Sequence, residues 1–214
     1  MSHYIQIKAR NIFFEDYYLN ILNDIFSGID CKKNILIFNA KILIPLIKYS
    51  YNIKKFGIHI HLIIDDKDLA KEYRDNIAGE EIDNNILIEN IFSETKTKYD
   101  IIIDFHLYCI DKFEVELDSF YKNMNHSGKF YAFSSLIEKA KRSEWRTVFR
   151  DDIKKIIGLD YGNVLLYEDM SELIETNQNR KKYKCESFSI YKDSEYIFYG
   201  KNTVYKIVLE KIGS

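Results

Sequence analysis

The chain has 214 residues, of which 46% are apolar and 30% charged, and its formal net charge is -2. That length suits one domain with a sizeable core, and the balance excludes a disordered or fibrous chain. Lys and Arg are spread without a basic stripe, which excludes the usual footprint of a nucleic-acid binder.

Apolar residues at helical spacing (Phe14, Tyr18, Ile21, Leu22, Ile25, Phe26 and Ile29) predict an N-terminal helix over about 14–29, closed near Gly28. The short run Ile35 to Phe38 predicts a first strand. A helix from about Lys41 to Lys55 follows, with Leu43, Leu46 and Ile47 inward. Pro45 falls in its first turn, where a missing N–H costs least. Gly57 opens a second strand, "IHIHLIID", and a short helix then carries Leu69, Tyr73 and Ile77 on one face, with Gly79 beyond its end.

The third strand is "ILIEN", Ile86 to Asn90. The fourth is "YDIIIDFH", apolar on both faces as a covered strand should be. Asp111 is read as the cap of the next helix, whose stripe is Phe113, Leu117, Phe120, Tyr121 and Met124. Gly128 begins the fifth strand, "KFYAFSS". Ser134 or Ser135 then caps a long helix bearing Leu136, Ile137, Ala140, Val148, Phe149, Ile153 and Ile156. Beyond Gly158, "SFSIYKDSEYIFYGKNTVYKIVLEK" alternates with period two. Two turn signals, Lys192-Asp193-Ser194 and Gly200-Lys201-Asn202, divide it into an antiparallel hairpin or meander.

The order predicts one α/β domain over residues 1–214. Its core, about 34–157, is a mostly parallel sheet with helices on both faces, and antiparallel strands close it over about 185–210. Such sheets bind ligands at the carboxyl ends of their strands. That rule singles out Asn39, Asp65, Asn90 and Asp104-Phe105-His106.

This layout resembles the class I S-adenosylmethionine-dependent methyltransferases, which have a leading helix, a Rossmann-like core and a closing hairpin. The resemblance covers nearly the whole chain and rests on element order and strand-end acids. "ILIFNAK" falls where that family has its first strand and glycine-rich loop, which implies Phe38, Asn39 and Ala40 beside the cofactor. "HLIIDD" places Asp65, followed by Asp66, where the family has an acid that bonds the ribose hydroxyls. A carboxylate there can accept two hydrogen bonds from a diol. Asn90 and Ile91 fall at the adenine edge and face. "IIIDFH" places Asp104 at the fourth-strand acid, near methyl donor and substrate, and Asp104 or His106 would take a proton from the accepting atom.

The chain departs from the family at the first turn, Phe38-Asn39-Ala40-Lys41, which has no glycine. Glycine there lets the backbone approach the ligand and supplies positive φ without a Cβ. Asn39 visits the left-handed region at modest cost, but Ala40 and Lys41 do not replace the other glycines as easily. A retained cradle requires positive φ at Asn39 and a Lys41 turned away from the sulfonium, which it would repel. A lost site requires Phe38 or Lys41 to fill the volume.

His59 and His61 share a strand face, because side chains repeat every two residues, and with Asp104 and His106 a metal cluster is imaginable. The plainer reading is two hydrogen-bonded histidines under a helix, so no metal is expected. "IGLDYGNVLL" is similar to the opening of haloacid-dehalogenase-type phosphatases, with Asp160 as nucleophile. Only 54 residues follow it, too few for that fold, so a helix end and turn are favoured. No Ser sits in a G-x-S-x-G elbow. Cys109, three residues after His106, reads as an ordinary buried cysteine. The abundant tyrosines fit core faces better than base-stacking platforms.

No apolar run approaches the roughly 20 residues of a bilayer span, and "MSHYIQIKAR" lacks the apolar core of a signal peptide. Cys31, Cys109 and Cys185 are isolated, which points to a reducing compartment, hence the cytoplasm. The basic run "NRKKYK", Asn179 to Lys184, reads as a solvated loop. Three functions follow: a methyltransferase using S-adenosylmethionine on a small molecule, a non-catalytic subunit of the same fold, or a nucleotide- or sugar-handling enzyme on a similar sheet. No nucleic-acid or membrane partner is expected, and a homo-oligomer or protein partner stays open.

Overall fold

The computed structural model describes residues 19–38, 43–64, 66–80, 82–90, 92, 97–104, 110–135, 167–194 and 202–213. The chain divides into two compact units, Met1–Glu94 and Thr95–Ser214. Among the described residues it forms seven strands.

In the first unit, helix α1 occupies 19–26 and buries Ile21, Leu22, Ile25 and Phe26, the stripe the sequence pattern requires. Strand β1 is Asn34–Phe38, β2 is His59–Ile63 and β3 is Ile86–Glu89. They pair in parallel in the order β3-β2-β1, with Ile35 beside Ile60 and Ile60 beside Ile86. That register puts Ile35, Ile60, Ile86, Ile37, Leu62 and Ile88 on one face, and all six are buried. Each such side chain contributes roughly 1.5–3 kcal/mol.

The helix expected from Lys41 to Lys55 is two helices, α2 (Leu43–Lys48) and α3 (Ser50–Phe56). Tyr49 separates them at φ -93 and ψ 6, its N–H bonding back only three residues to the Leu46 carbonyl. Its ring packs edge-on against Phe26 at 5.5 Å. Leu46 and Ile53, seven residues apart, face inward, whereas Ile47 lies about 100° round the helix from Leu46 and is 37% exposed. The expectation of an inward Ile47 is therefore corrected. Gly57 ends α3 at φ +64, a left-handed cap whose N–H reaches the last carbonyls. Helix α4, Lys67–Ile77, buries Ala70 and Ile77 with Leu69 and Tyr73 half-buried.

In the second unit, β4 (Tyr99–Asp104) is buried at every position except Asp100, which is intermediate, as its apolar sequence demands. Helix α5 is Ile110–Asn123, so Asp111 lies inside it rather than ahead of it as its cap. Leu117 and Phe120 are buried, and Tyr121 is half-buried. Strand β5 runs from Met124 to Ser135, beginning before Gly128, where the sequence reading had placed its start. Tyr99 faces Met124 while Ile101 faces Lys129, so β5 carries three extra residues across that step. Gly128 belongs to this irregularity: a Cβ there would lie 2.9 Å from the Asn125 carbonyl oxygen and 3.2 Å from that of Tyr99.

Ser134 and Ser135 are the last residues of β5, and the helix expected after them lies outside the described residues, as does Asp160. Helix α6, Tyr167–Asn179, was not foreseen. It buries Met170, Leu173, Ile174 and Asn177, the last satisfied by donating to the Leu173 carbonyl at 3.0 Å. Strands β6 (Tyr183–Ser194) and β7 (Asn202–Lys211) form the antiparallel closing pair, with β7 between β5 and β6. Lys192-Asp193-Ser194 is strand, not turn: it pairs with Val204, Thr203 and Asn202. The polar triplet is accommodated past a register shift between Ile190 and Lys192. In "NRKKYK" the lysines are exposed or half-exposed, but Tyr183 is fully buried and donates to the Leu117 carbonyl at 2.8 Å.

Lysines gather at the C-terminus of α5, where unsatisfied carbonyls carry partial negative charge. Lys211 donates to the carbonyls of Tyr121 (2.7 Å) and Met124 (3.0 Å), and its ammonium sits 4.3 Å from the Tyr121 ring centroid. Lys98 donates to the Lys122 carbonyl. Among the described residues no helix is long and apolar enough to cross a membrane.

Candidate functional site

Of the residues expected at the cofactor and catalytic positions, Phe38, Asp66, Asn90 and Asp104 are described. Asn39, Ala40, Asp65, Ile91 and His106 lie outside the described residues, as do Lys41 and the torsions of the first turn.

In the first unit the carboxyl ends of the strands are built as follows. Phe38 ends β1 half-buried, and its ring meets that of Phe92 edge-on at 5.5 Å. The register puts Phe38 beside Ile63 and Ile63 beside Glu89, so all three lie on one sheet face. Phe92 also approaches the His61 ring, at 6.2 Å between centroids. His61 is 5% exposed and its Nε2 bonds Glu89 Oε2 at 2.8 Å. Burial pushes the His61 pKa below its ordinary value, against the opposing pull of Glu89. The neutral ring therefore donates Nε2–H to the carboxylate.

His61 is thus a hydrogen-bonded core histidine, while His59 is exposed. Among the described residues no group of three His, Cys, Asp or Glu side chains could hold a metal ion. Asp66 caps α4: its Oδ1 accepts from the N–H groups of Asp68 (3.0 Å) and Leu69 (3.1 Å). Asn90 follows β3 in a bend and is half-buried. Glu89 and Phe92 were missed from sequence. Their signal was the face alternation of β2 and β3, usable only once the register is known.

In the second unit, Asp104 ends β4 at 2% exposure, beside Ala132 of β5. A carboxylate so buried needs partners to hold it there, and Asp104 has them within the protein; strand carboxyl ends are where sheets of this class hold ligands.

No protein-family model and no curated protein matches the chain. Solved structures do. The chain is similar to geranyl diphosphate C-methyltransferase from Streptomyces coelicolor A3(2), crystallised with Mg2+, geranyl diphosphate and S-adenosyl-L-homocysteine: TM-score 0.66, 8% identity, covering 92% of this chain and 79% of that one. It is similar to an N-methyltransferase from Bradyrhizobium japonicum WM9, with TM-score 0.58, 10% identity, and 94% and 97% coverage. It is also similar to magnesium protoporphyrin IX methyltransferase from Synechocystis PCC 6803 with bound S-adenosylhomocysteine, with TM-score 0.57, 10% identity, and 91% and 83% coverage. The chain has the Rossmann-like fold of the class I S-adenosylmethionine-dependent methyltransferases, with a mostly parallel sheet and an antiparallel C-terminal pair, as the element order required.

Proposed function

We propose that the chain is a methyltransferase that uses S-adenosylmethionine on a small molecule. The observation that carries this is Asp104, a carboxylate held 2% exposed at the carboxyl end of β4 in a fold shared over nine-tenths of the chain with methyltransferases of unrelated small molecules. Phe38 supports the same reading. At the end of β1 its ring packs edge-on against Phe92, which follows β3, so the carboxyl ends of β1 and β3 are joined by an aromatic contact.

Asp65 would accept from the ribose diol, Asn90 and Ile91 would hold the adenine, and Phe38, Asn39 and Ala40 would pass beside the methionine portion. Asp66 is engaged at the α4 cap and would act by holding that helix start beside Asp65. S-adenosylmethionine, when bound, supplies an electrophilic methyl group. Since that group is intrinsically reactive, the chain's part is to orient the acceptor and to take its proton on Asp104 or His106.

The glycine-free turn Phe38-Asn39-Ala40-Lys41 favours a second reading, a non-catalytic subunit of the same fold. A thermal-shift screen with S-adenosylmethionine and S-adenosylhomocysteine separates the two. A ligand at 100 times its Kd adds about 2.7 kcal/mol of stability, whereas the non-catalytic protein would show no shift with either.

A further inference from the structure

Strand β3 is an edge strand of only four residues, and it delivers the segment holding Asn90 and Phe92. So short an edge is held weakly by its ladder alone. Three further bonds hold its end. The Ile64 N–H donates to the Glu89 carbonyl at 2.9 Å, Arg74 Nη1 to the Ile88 carbonyl at 3.0 Å, and His61 Nε2 to the Glu89 carboxylate at 2.8 Å. The last differs from the others in reaching diagonally from inside the sheet. His61 faces Leu87 in the register and extends two residues up the strand to Glu89. Its ring also lies near Phe92, so one buried side chain meets a residue before Asn90 and another two positions after it.

We infer that His61 is a positioning residue for base recognition: its bond to Glu89 and its contact with Phe92 fix the β3 exit, and so the angle at which Asn90 meets the adenine edge. This rests on the methyltransferase reading, which supplies the adenine. His61 itself, almost wholly buried, touches no ligand.

The test uses full-length wild type, His61→Ala and His61→Gln, each checked for cooperative thermal unfolding. Titration calorimetry measures S-adenosylhomocysteine and S-inosylhomocysteine, in which a carbonyl replaces the exocyclic amine of the base. Wild type should prefer the adenine ligand. His61→Ala should lose about tenfold in affinity for it, the scale of one hydrogen bond to a charged group, and should lose the preference. His61→Gln, whose side-chain amide can still donate to Glu89, should keep both. Hydrogen exchange at the Ile64 amide gives a ligand-free readout, faster in His61→Ala and normal in His61→Gln. A variant His61→Ala that keeps the base preference and Ile64 protection overturns the inference. Wild type that binds neither ligand overturns the methyltransferase reading and base recognition with it, while the Ile64 exchange still decides whether His61 pins the strand end.

Discussion

Replacing Gly128 with Ala tests the irregular start of β5 against its simpler sequence reading. The new Cβ would lie 2.9, 3.2 and 3.3 Å from the carbonyl oxygens of Asn125, Tyr99 and Asp100. All three are backbone atoms, and the irregularity leaves no flexible side chain to give way. Ordinary contact is near 3.4 Å or more, so the closest clash is roughly 0.5 Å deep. Overpacking of this kind costs about 1–3 kcal/mol. Gly→Ala also stiffens the unfolded chain, which offsets the loss by about 0.4–1 kcal/mol. The net expectation is a loss of about 0–2.6 kcal/mol, read as a lower urea midpoint at unchanged m-value. Gly28→Ala is the control, since nothing lies within 4 Å of its Cβ position, and it should be neutral to slightly stabilising. A Gly128→Ala variant as stable as Gly28→Ala, which carries the unfolded-state gain without the clash, would refute the placement of Gly128 beneath three carbonyls.

Tyr183→Phe removes the buried hydroxyl bonded to the Leu117 carbonyl and should cost about 1 kcal/mol in urea unfolding; no loss would contradict that bond. Lys211→Met keeps the stem but strips the donors from the Tyr121 and Met124 carbonyls, and should destabilise by about 1–3 kcal/mol. Stability should also depend on pH through His61. Its folded pKa lies below the ordinary 6.5 because of burial, so the unfolded chain binds its proton more readily. The contribution is complete above pH 6.5 and is lost as pH falls through the folded pKa. Unfolding curves of wild type should therefore decline below pH 6.5 more steeply than those of His61→Gln, and parallel curves would remove His61 as the cause.

The elements easiest to see in the sequence were those whose burial is complete. "NILIF" and "YDIIID" have little but apolar residues, and no other element class explains such short runs. Helix α6 was harder because its stripe ends on Asn177, a polar residue that becomes buried by bonding within its own helix. Met124 continues the α5 stripe in sequence, yet it is the first residue of β5. A helical period cannot show where the backbone changes state. The triplet Lys192-Asp193-Ser194 looked like a turn because turns and strand irregularities favour the same residues. That Asp104 ends a strand and Asn90 follows one was legible from strand order. The bond from His61 to Glu89 was not, because it depends on a diagonal across a parallel register that no single segment encodes.

The most direct measurement is a calorimetric titration of the wild-type chain and of Asp65→Ala with S-adenosylhomocysteine. A functional cofactor site gives saturable binding by the wild type, weakened by about 1–3 kcal/mol in the variant, as expected for lost hydrogen bonds to a charged group. Saturable binding that Asp65→Ala leaves unchanged would take Asp65 out of the site. Absence of any binding heat across temperatures, with no thermal stabilisation by the ligand, would contradict a functional cofactor site and leave the chain as a methyltransferase fold used for something other than methyl transfer.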